Sequence, residues 1–362
     1  MINAKGGRKL KGVIFCGEKG SSLNPITYSI PKQLIPIGNK PILVYTIELL
    51  LKSGINELAI LVNEFNKPIF ERVLRYYFKE DFYYIIQPEP KGIAYSLLFA
   101  EKFIKEEKFI MVLGDNFFDF DLESFIKKFD DEETSCKILL KEVEKPERFQ
   151  VAYIGDERII DLEDRPKMAF SNWAVIGLYA FNKDIFKACK EIKPSNGDKY
   201  QLIDAIKWLL QNGYTVEYDK LKGRWREISS PTDLIEQNID ILHSIEENIM
   251  GEIIDSYSSG KVVLGEGSVI YNSTLRGPVV IGESTTIKNS YIGPYTSIGN
   301  RVIVEKSNLE NSIILDGCNI WGVENPIDSS IIGEGSIIMG KKEMKKTTKI
   351  IVGRNSKIYL SI

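Results

Sequence analysis

The chain has 362 residues, with 47 basic and 50 acidic side chains, a formal net charge of −3 and 43% hydrophobic residues. That length and apolar content allow two packed domains, and the near balance of charge does not suggest a nucleic-acid footprint, which would need a clustered basic excess. Four widely separated cysteines, Cys16, Cys136, Cys189 and Cys318, exclude a paired-cysteine zinc site or a disulfide framework. No apolar run is long enough to span a membrane, and residues 1–10 are basic without the apolar core of a signal peptide. A cytoplasmic protein is therefore expected. A single histidine, His243, removes most histidine-based mechanisms.

From Gly12 to about Ser244 strands and helices alternate, which predicts a mixed α/β domain with a mostly parallel sheet. Gly12–Cys16 is a short apolar run that reads as a buried strand. It breaks at Gly17 into a small loop containing Gly17, Gly20, Ser21 and Ser22, the kind of place where backbone N–H groups face an anion. A helix is predicted over Pro41–Ser53, stopped by Gly54. Strand Glu57–Asn63, a helix around Lys67–Phe78 and strand Phe82–Gln87 follow. Pro88 to Gly92 is turn chemistry, and a helical pattern runs over Ile93–Ile104.

Strand Phe109–Leu113 ends at Gly114-Asp115-Asn116. The tripeptide suits a simple turn. It also places a carboxylate beyond the carboxyl end of a buried strand, where open α/β sheets bind ligands. Further strands are expected at Ser135–Glu142, Gln150–Tyr153 and Val175–Phe181, with a charged stretch at Leu162–Lys167 closed by Pro166. A helix bearing Leu202, Ile203, Ile206, Leu209 and Leu210 ends near Gly213. Another runs from Thr232 to about Glu247 and carries His243, read as a capping or solvated residue.

From Val262 the pattern changes. Aliphatic-Gly units recur near every six residues, as in Val280-Ile281-Gly282, Tyr291-Ile292-Gly293 and Ile331-Ile332-Gly333. This is the signature of a parallel β-helix of hexapeptide repeats, with the aliphatic residue inward and glycine at the corner. Lys341–Lys349 interrupts the repeat and reads as a solvated loop. The expected organisation is a basic tail at 1–10, an α/β domain at 11–248 and a left-handed parallel β-helix at 249–362.

Taken singly, the anion-binding signals are weak, because Gly17-Glu18-Lys19-Gly20 matches neither a P-loop nor a dinucleotide fingerprint. Together the motifs resemble the sugar-1-phosphate nucleotidyltransferases, and among them the long-form glucose-1-phosphate thymidylyltransferases with a β-helix tail. The resemblance is carried by Leu23-Asn24-Pro25-Ile26-Thr27, Pro31-Lys32-Gln33-Leu34, Asn39-Lys40-Pro41-Ile42, Gln87 to Ala94, Val112 to Asn116, Ser171-Asn172, Trp225, Pro231 and the repeats. It implies a Rossmann-like transferase domain in which a sugar 1-phosphate attacks the α-phosphorus of a nucleoside triphosphate and pyrophosphate leaves. By position, it implies Lys32 and Arg165 as catalytic cations, with Gly17, Gly20, Ser21, Ser22, Gln87 and Gly92 on the nucleotide. It places Asn116, Gln150, Asp164 and Asn172 at the sugar, and Asp115 and Glu227 on Mg²⁺. The implied partners are dTTP or UTP, a sugar 1-phosphate, and a homo-oligomer or a hetero-oligomer with an active paralogue; no nucleic acid or membrane is implied.

Several positions depart from the family pattern. Ser22 stands where the family has an arginine that binds phosphate through two N–H groups. Glu18 replaces a glycine; against a phosphate ~4 Å away at an effective dielectric of ~20 its charge would repel by roughly 4 kcal/mol. Gln150 replaces a glycine beside the sugar, Asp164-Arg165-Pro166 replaces Glu-Lys-Pro, and Glu227 replaces a metal-binding aspartate. Two readings follow: a working transferase with a rearranged triphosphate site, and an impaired paralogue that binds nucleotide or nucleotide sugar or regulates an active partner. An acyltransferase reading of the β-helix fails, because no histidine lies within the repeats to act as base.

Overall fold

The computed structural model describes residues 10–18, 20–131, 133–195, 197–341 and 350–361. The expected basic tail at 1–10, apart from residue 10, and nearly all of the expected loop at Lys341–Lys349 lie outside them. By packing, the chain divides into two units: 10–18 with Leu43–Glu227, and 20–42 with Ile228 onward. Among the described residues no helix is long and apolar enough to cross a membrane.

The first unit is built on a nine-stranded sheet. Strand Lys11–Phe15 lies between Glu57–Asn63 and Phe109–Leu113, parallel to both, and Tyr83–Gln87 extends the sheet in parallel. Trp173–Phe181 runs antiparallel to Phe109–Leu113 and carries Cys136–Glu142 and Gln150–Gly155 beyond it. Val216–Lys220 is parallel to Cys136–Glu142, and Arg158–Asp164 is antiparallel to Gln150–Gly155. Only Trp173–Phe181 and Arg158–Asp164 therefore oppose the common direction, so the sheet is mostly parallel as expected. The central strands are continuous apolar runs because helices cover them. Val13, Phe15, Met111 and Tyr179 pack on one side with Leu97, Ile104, Phe186, Ile203 and Ile206 from the helical segments.

Three expectations are corrected. The segment Ile93–Ile104 is not one helix: Ile93–Leu97 and Glu101–Ile104 are separated by a 3₁₀ turn at Leu98–Ala100. The tighter turn rotates the apolar face so that Leu97, Ala100 and Ile104 all stay buried. The last helix of the α/β part spans Pro231–His243, not to Glu247. Ser230 caps its start by accepting from the Asp233 N–H. The charged stretch at 162–167 is in part strand: Arg158–Asp164 pairs with Gln150–Gly155, and a register shift between Ile159 and Asp161 lets Ile159 and Leu162, three positions apart, both be buried.

The second unit contains the β-helix, with parallel sheets of seven, seven and five strands among the described residues. Val262, Val279 and Thr296 stack in register, and Val262, Ile270, Leu275, Ile281, Ile287 and Ile292 fill the prism with no exposure to solvent above 1%. A column of buried hydroxyls lines one corner: Ser273 Oγ accepts from the Ser290 N–H, Ser290 Oγ from the Ser307 N–H and Ser307 Oγ from the Val323 N–H, at 3.1, 3.2 and 3.1 Å. These bonds satisfy corner amides that the ladder leaves over.

Candidate active site

The parallel register sets Phe15 beside Leu113 and Asn63 beside Gln87. The residues that follow Phe15 and Leu113, together with Gln87, therefore gather at the carboxyl ends of the central strands, where strand order reverses on either side of Lys11–Phe15. This is where open α/β sheets bind ligands.

Gly17 and Gln87 are in close contact: a Cβ at Gly17 would lie 1.9 Å from Gln87 Oε1. Gln87 is 5% exposed, and its Nε2 donates to the Glu89 carbonyl at 2.9 Å. Its Oε1 is buried and has no hydrogen-bond partner among the described residues. A buried acceptor without a donor is costly, and a nucleobase N–H would satisfy it. Gly92 has φ 101°, and a Cβ there would lie 2.4 Å from the Tyr200 carbonyl. Tyr200 ties this turn down, donating its N–H to the Lys91 carbonyl at 2.8 Å and accepting from the Ala94 N–H at 3.1 Å. Tyr200 is distant in sequence from Gly92, and no local pattern announced it.

Asp115 follows strand Phe109–Leu113 and is 6% exposed. Asn116 Nδ2 donates to Asp115 Oδ1 at 2.9 Å, and Asn116 Oδ1 accepts from Trp225 Nε1 at 2.6 Å. Asn116 is 1% exposed, and its carbonyl accepts from Thr46 Oγ1 at 3.2 Å. Its amide therefore holds Asp115 in place. Strand Arg224–Glu227 pairs antiparallel with Asn116–Asp119 and sets Glu227 directly opposite Asn116. Asp115 and Glu227 thus flank one residue. The buried Tyr179 is a residue the sequence reading missed. Its hydroxyl is pushed above the usual tyrosine range by burial first, then by the charges of Cys136, Glu227 and Asp164. Burial and the neighbouring Asp115 likewise push the Cys16 thiol well up.

Gln150 and Asp164 face each other across the hairpin of Gln150–Gly155 and Arg158–Asp164. Arg165 follows with φ 46°, donates its N–H to the Phe149 carbonyl at 3.1 Å, and brings its Nε to 3.4 Å from the Arg148 carbonyl. Asn172 is exposed, and its carbonyl accepts from the Val143 N–H at 2.9 Å. The hairpin thus brings Gln150, Asp164 and Arg165 together.

Gly20, Ser21, Ser22 and Lys32 belong to the other unit. Gly20 has φ 65°, and its carbonyl accepts from Thr27 Oγ1 at 2.8 Å. Ser21–Leu23 forms a 3₁₀ turn with both serines exposed. Lys32 opens a second such turn at Lys32–Leu34 and is 3% exposed, with its Cβ 2.9 Å from where a Gly20 Cβ would be. Glu18 is exposed, so water screens its charge and the repulsion at low effective dielectric does not apply in full.

Two carboxylates, Asp115 and Glu227, suit a Mg²⁺ ion, which keeps several waters and takes its remaining ligands from phosphate. Among the described residues no group of three or more acidic, histidine or cysteine side chains forms an all-protein metal cage.

The family model described as nucleotidyl transferase matches residues 11–244. A glucose-1-phosphate thymidylyltransferase of Streptomyces griseus is 33% identical over 97% of this chain and 100% of its own length. The low-salt glycan biosynthesis nucleotidyltransferase Agl11 of Haloferax volcanii is 32% identical over the same shares. Among solved structures, a Bacillus anthracis protein assigned as a glucose-1-phosphate thymidylyltransferase, in complex with a sucrose, superposes with a TM-score of 0.60 at 29% identity, covering 66% of this chain and 97% of that one. A UDP-glucose pyrophosphorylase complexed with UDP-glucose shares the fold at a TM-score of 0.58 and 23% identity, over 65% of this chain and all of its own. The chain belongs to the nucleotidyl transferase family.

Proposed function

We propose that this protein transfers a nucleotidyl group from a nucleoside triphosphate, dTTP or UTP, to a sugar 1-phosphate such as glucose 1-phosphate. A phosphate oxygen of the sugar attacks the α-phosphorus, the bond from that phosphorus to the bridging oxygen breaks, and pyrophosphate departs with a nucleotide sugar as product. The observation that carries this reading is the chain of hydrogen bonds from Trp225 through Asn116 to Asp115, which fixes a carboxylate beside the buried Gln87–Gly17 contact at the carboxyl ends of the strands.

Such chemistry needs positioning and charge neutralisation more than covalent help from the protein. Gln87 Oε1 accepts from the base, and the lack of a side chain at Gly17 leaves room for that contact. Asp115 and Glu227 would hold Mg²⁺, and that ion would supply stabilisation of charge on the attacking and leaving oxygens. Lys32 meets phosphate oxygens as a compact cation. Gln150 and Asp164 supply the sugar side from one hairpin, which also carries Arg165 as the second catalytic cation, with Asn172 nearby in sequence to the strand that anchors it. Residues 11–248 carry this chemistry.

The exposed Ser22 and Glu18 favour a second reading, in which nucleotide binds but turnover is slow. Removing one charge-stabilising group typically costs about 10²–10³ in rate. The protein incubated with Mg²⁺, glucose 1-phosphate and each nucleoside triphosphate in turn is expected to release pyrophosphate with dTTP or UTP, and Asp115→Asn is expected to abolish that release. Binding of nucleotide sugar with no release from any triphosphate would establish the second reading; neither binding nor release would overturn both.

A further inference from the structure

Strand Val216–Lys220 lies at an edge of the nine-stranded sheet, and its one strand partner among the described residues is Cys136–Glu142. The Thr215 carbonyl accepts from the Cys136 N–H at 3.2 Å, and the Leu221 N–H donates to the Leu140 carbonyl at 2.8 Å, so the odd-numbered residues face that partner. Successive residues of a strand turn their N–H and C=O to opposite sides. Val216, Tyr218 and Lys220 therefore aim theirs away from the sheet. The edge opens on a groove of about 1100 Å³ that every residue from Thr215 to Lys222 lines, ~26 Å of extended chain. Its two walls differ. Toward helix Leu122–Asp131 the strand presents Glu217 and Asp219, with Asp121 just before the helix. Lys137, 2% exposed, lies 3.7 and 3.9 Å from the first two, and Lys128 reaches Asp219 at 3.0 Å. The other wall is Ile159, Leu210, Tyr214 and Tyr218, all packed on the core. Charges at an edge commonly block strand pairing. Here the carboxylates turn to one face and the Lys220 ammonium sits over the Trp173 ring at 4.2 Å, which leaves the backbone edge between them uncovered.

We propose that this edge takes up an extended segment of another protein as an added strand, and that the segment alternates basic and apolar side chains. Main-chain hydrogen bonds to Val216, Tyr218 and Lys220 supply the affinity, and the two unlike walls read alternate side chains. The period of two in the added strand sets its basic residues beside Asp121, Glu217 and Asp219. The same period sets its apolar residues beside Ile159, Leu210 and Tyr214. A segment alternating acidic and apolar residues meets like charge on the first wall, and one with its charges in a block puts some of them against the apolar wall. The inference is independent of the catalytic reading.

The probe is a capped, fluorescein-labelled peptide Lys-Val-Lys-Ile-Lys-Val-Lys. Its controls are Lys-Lys-Lys-Lys-Val-Ile-Val, of the same composition, and Glu-Val-Glu-Ile-Glu-Val-Glu. By fluorescence anisotropy with the full chain, the alternating basic peptide is expected to bind roughly tenfold or more tightly than either control. Hydrogen exchange at the Val216, Tyr218 and Lys220 amides is expected to slow about tenfold or more at saturation. Lys220→Pro removes one outward donor and keeps the ladder to Cys136–Glu142. It is expected to weaken the peptide about fivefold, the worth of one hydrogen bond. Lys220→Ala loses the same side chain but keeps the N–H, and is expected to bind as the unmodified protein does. Equal binding of the three peptides, unchanged exchange at the three amides, or equal effects of Lys220→Pro and Lys220→Ala would each overturn the proposal. Concentration-dependent protection of those amides in the protein alone would assign the edge to a second copy and overturn it too.

Discussion

A methyl group at Gly17 would sit 1.9 Å from Gln87 Oε1, so this one contact couples the first loop to the proposed base reader. Gly17→Ala is expected to push the Gln87 side chain aside. The strain belongs to the overpacking class, about 1–3 kcal/mol, and falls at the low end because the atom displaced is the tip of a flexible side chain. The melting temperature should fall by a few degrees, while KM for the nucleotide rises about tenfold with kcat nearly unchanged, the pattern of lost uniform binding. An unchanged KM would remove Gln87 from nucleotide recognition. The thiols give a second residue-scale prediction. Burial pushes Cys189 and Cys318 up to about 12, and Cys16 and Cys136 also well up. A raised pKa keeps a thiol protonated above pH 8, and the thiolate is the reactive form. Native protein at pH 8 should therefore react with a disulfide reagent at fewer than one site, and protein in denaturant at all four cysteines. Fast native labelling of Cys16 would show that the buried thiol beside Asp115 becomes exposed in the native protein. The place of Asp115 just beyond a buried strand was legible from the sequence, although Gly114-Asp115-Asn116 taken alone equally suits a simple turn. Its orientation was not, because it depends on Trp225, which lies more than a hundred positions later and reaches Asn116 only through strand pairing.

Elements show the same divide between local and distant causes. The central strands and the helix at Ile42–Lys52 follow from apolar runs and stop signals that lie within a dozen residues. The broken helix at Ile93–Ile104 does not, because its kink answers to the core it packs against rather than to proline or glycine. Strand Arg158–Asp164 was hidden by its charges, since a half-buried edge hairpin needs only two apolar positions, Ile159 and Leu162. In the β-helix the six-residue repeat revealed the inward aliphatic residues, but the serine corner is a separate device. Ser290 is 7% exposed; its Oγ accepts from the Ser307 N–H and donates to the Lys288 carbonyl at 2.7 Å. Ser290→Ala would leave a buried amide without an acceptor, at a cost of about 1–3 kcal/mol. Chemical denaturation should show that loss with no change in the pyrophosphate assay. Ser290→Thr keeps an acceptor and is expected to recover much of it. Equal losses for the two variants would mean that packing at the corner, not the hydrogen bond, is what matters.

At the scale of the whole chain, the loop with Lys32 and the β-helix belong to one packing unit. Asn39 Nδ2 donates to the Ile298 carbonyl at 2.6 Å, Asn238 Nδ2 donates to the Tyr295 carbonyl at 3.0 Å, and Asn238 Oδ1 also accepts from the Gly38 N–H at 2.9 Å. At the far end of the prism, a Cβ on Gly353 would lie 2.9 Å from the Pro25 carbonyl. The Bacillus anthracis structure is 97% covered by 66% of this chain, so the transferase fold exists without such a tail. This chain, however, has placed polar side chains of the loop and of helix Pro231–His243 against it. A fragment ending at Met250 would strip both acceptor carbonyls from Asn39 and Asn238, at about 1 kcal/mol for each bond and more where a buried group is left unpaired. It would also expose the apolar residues those segments bury. The fragment is expected to keep the nine-stranded sheet by circular dichroism, to be cut by protease within 20–42 far faster than the full chain, and to lose most pyrophosphate release because Lys32 is no longer held. Nucleotide binding through Gln87 should fall much less than turnover. A fragment that resists cleavage in 20–42 and turns over at the full rate would confine the β-helix to assembly and separate it from the chemistry altogether.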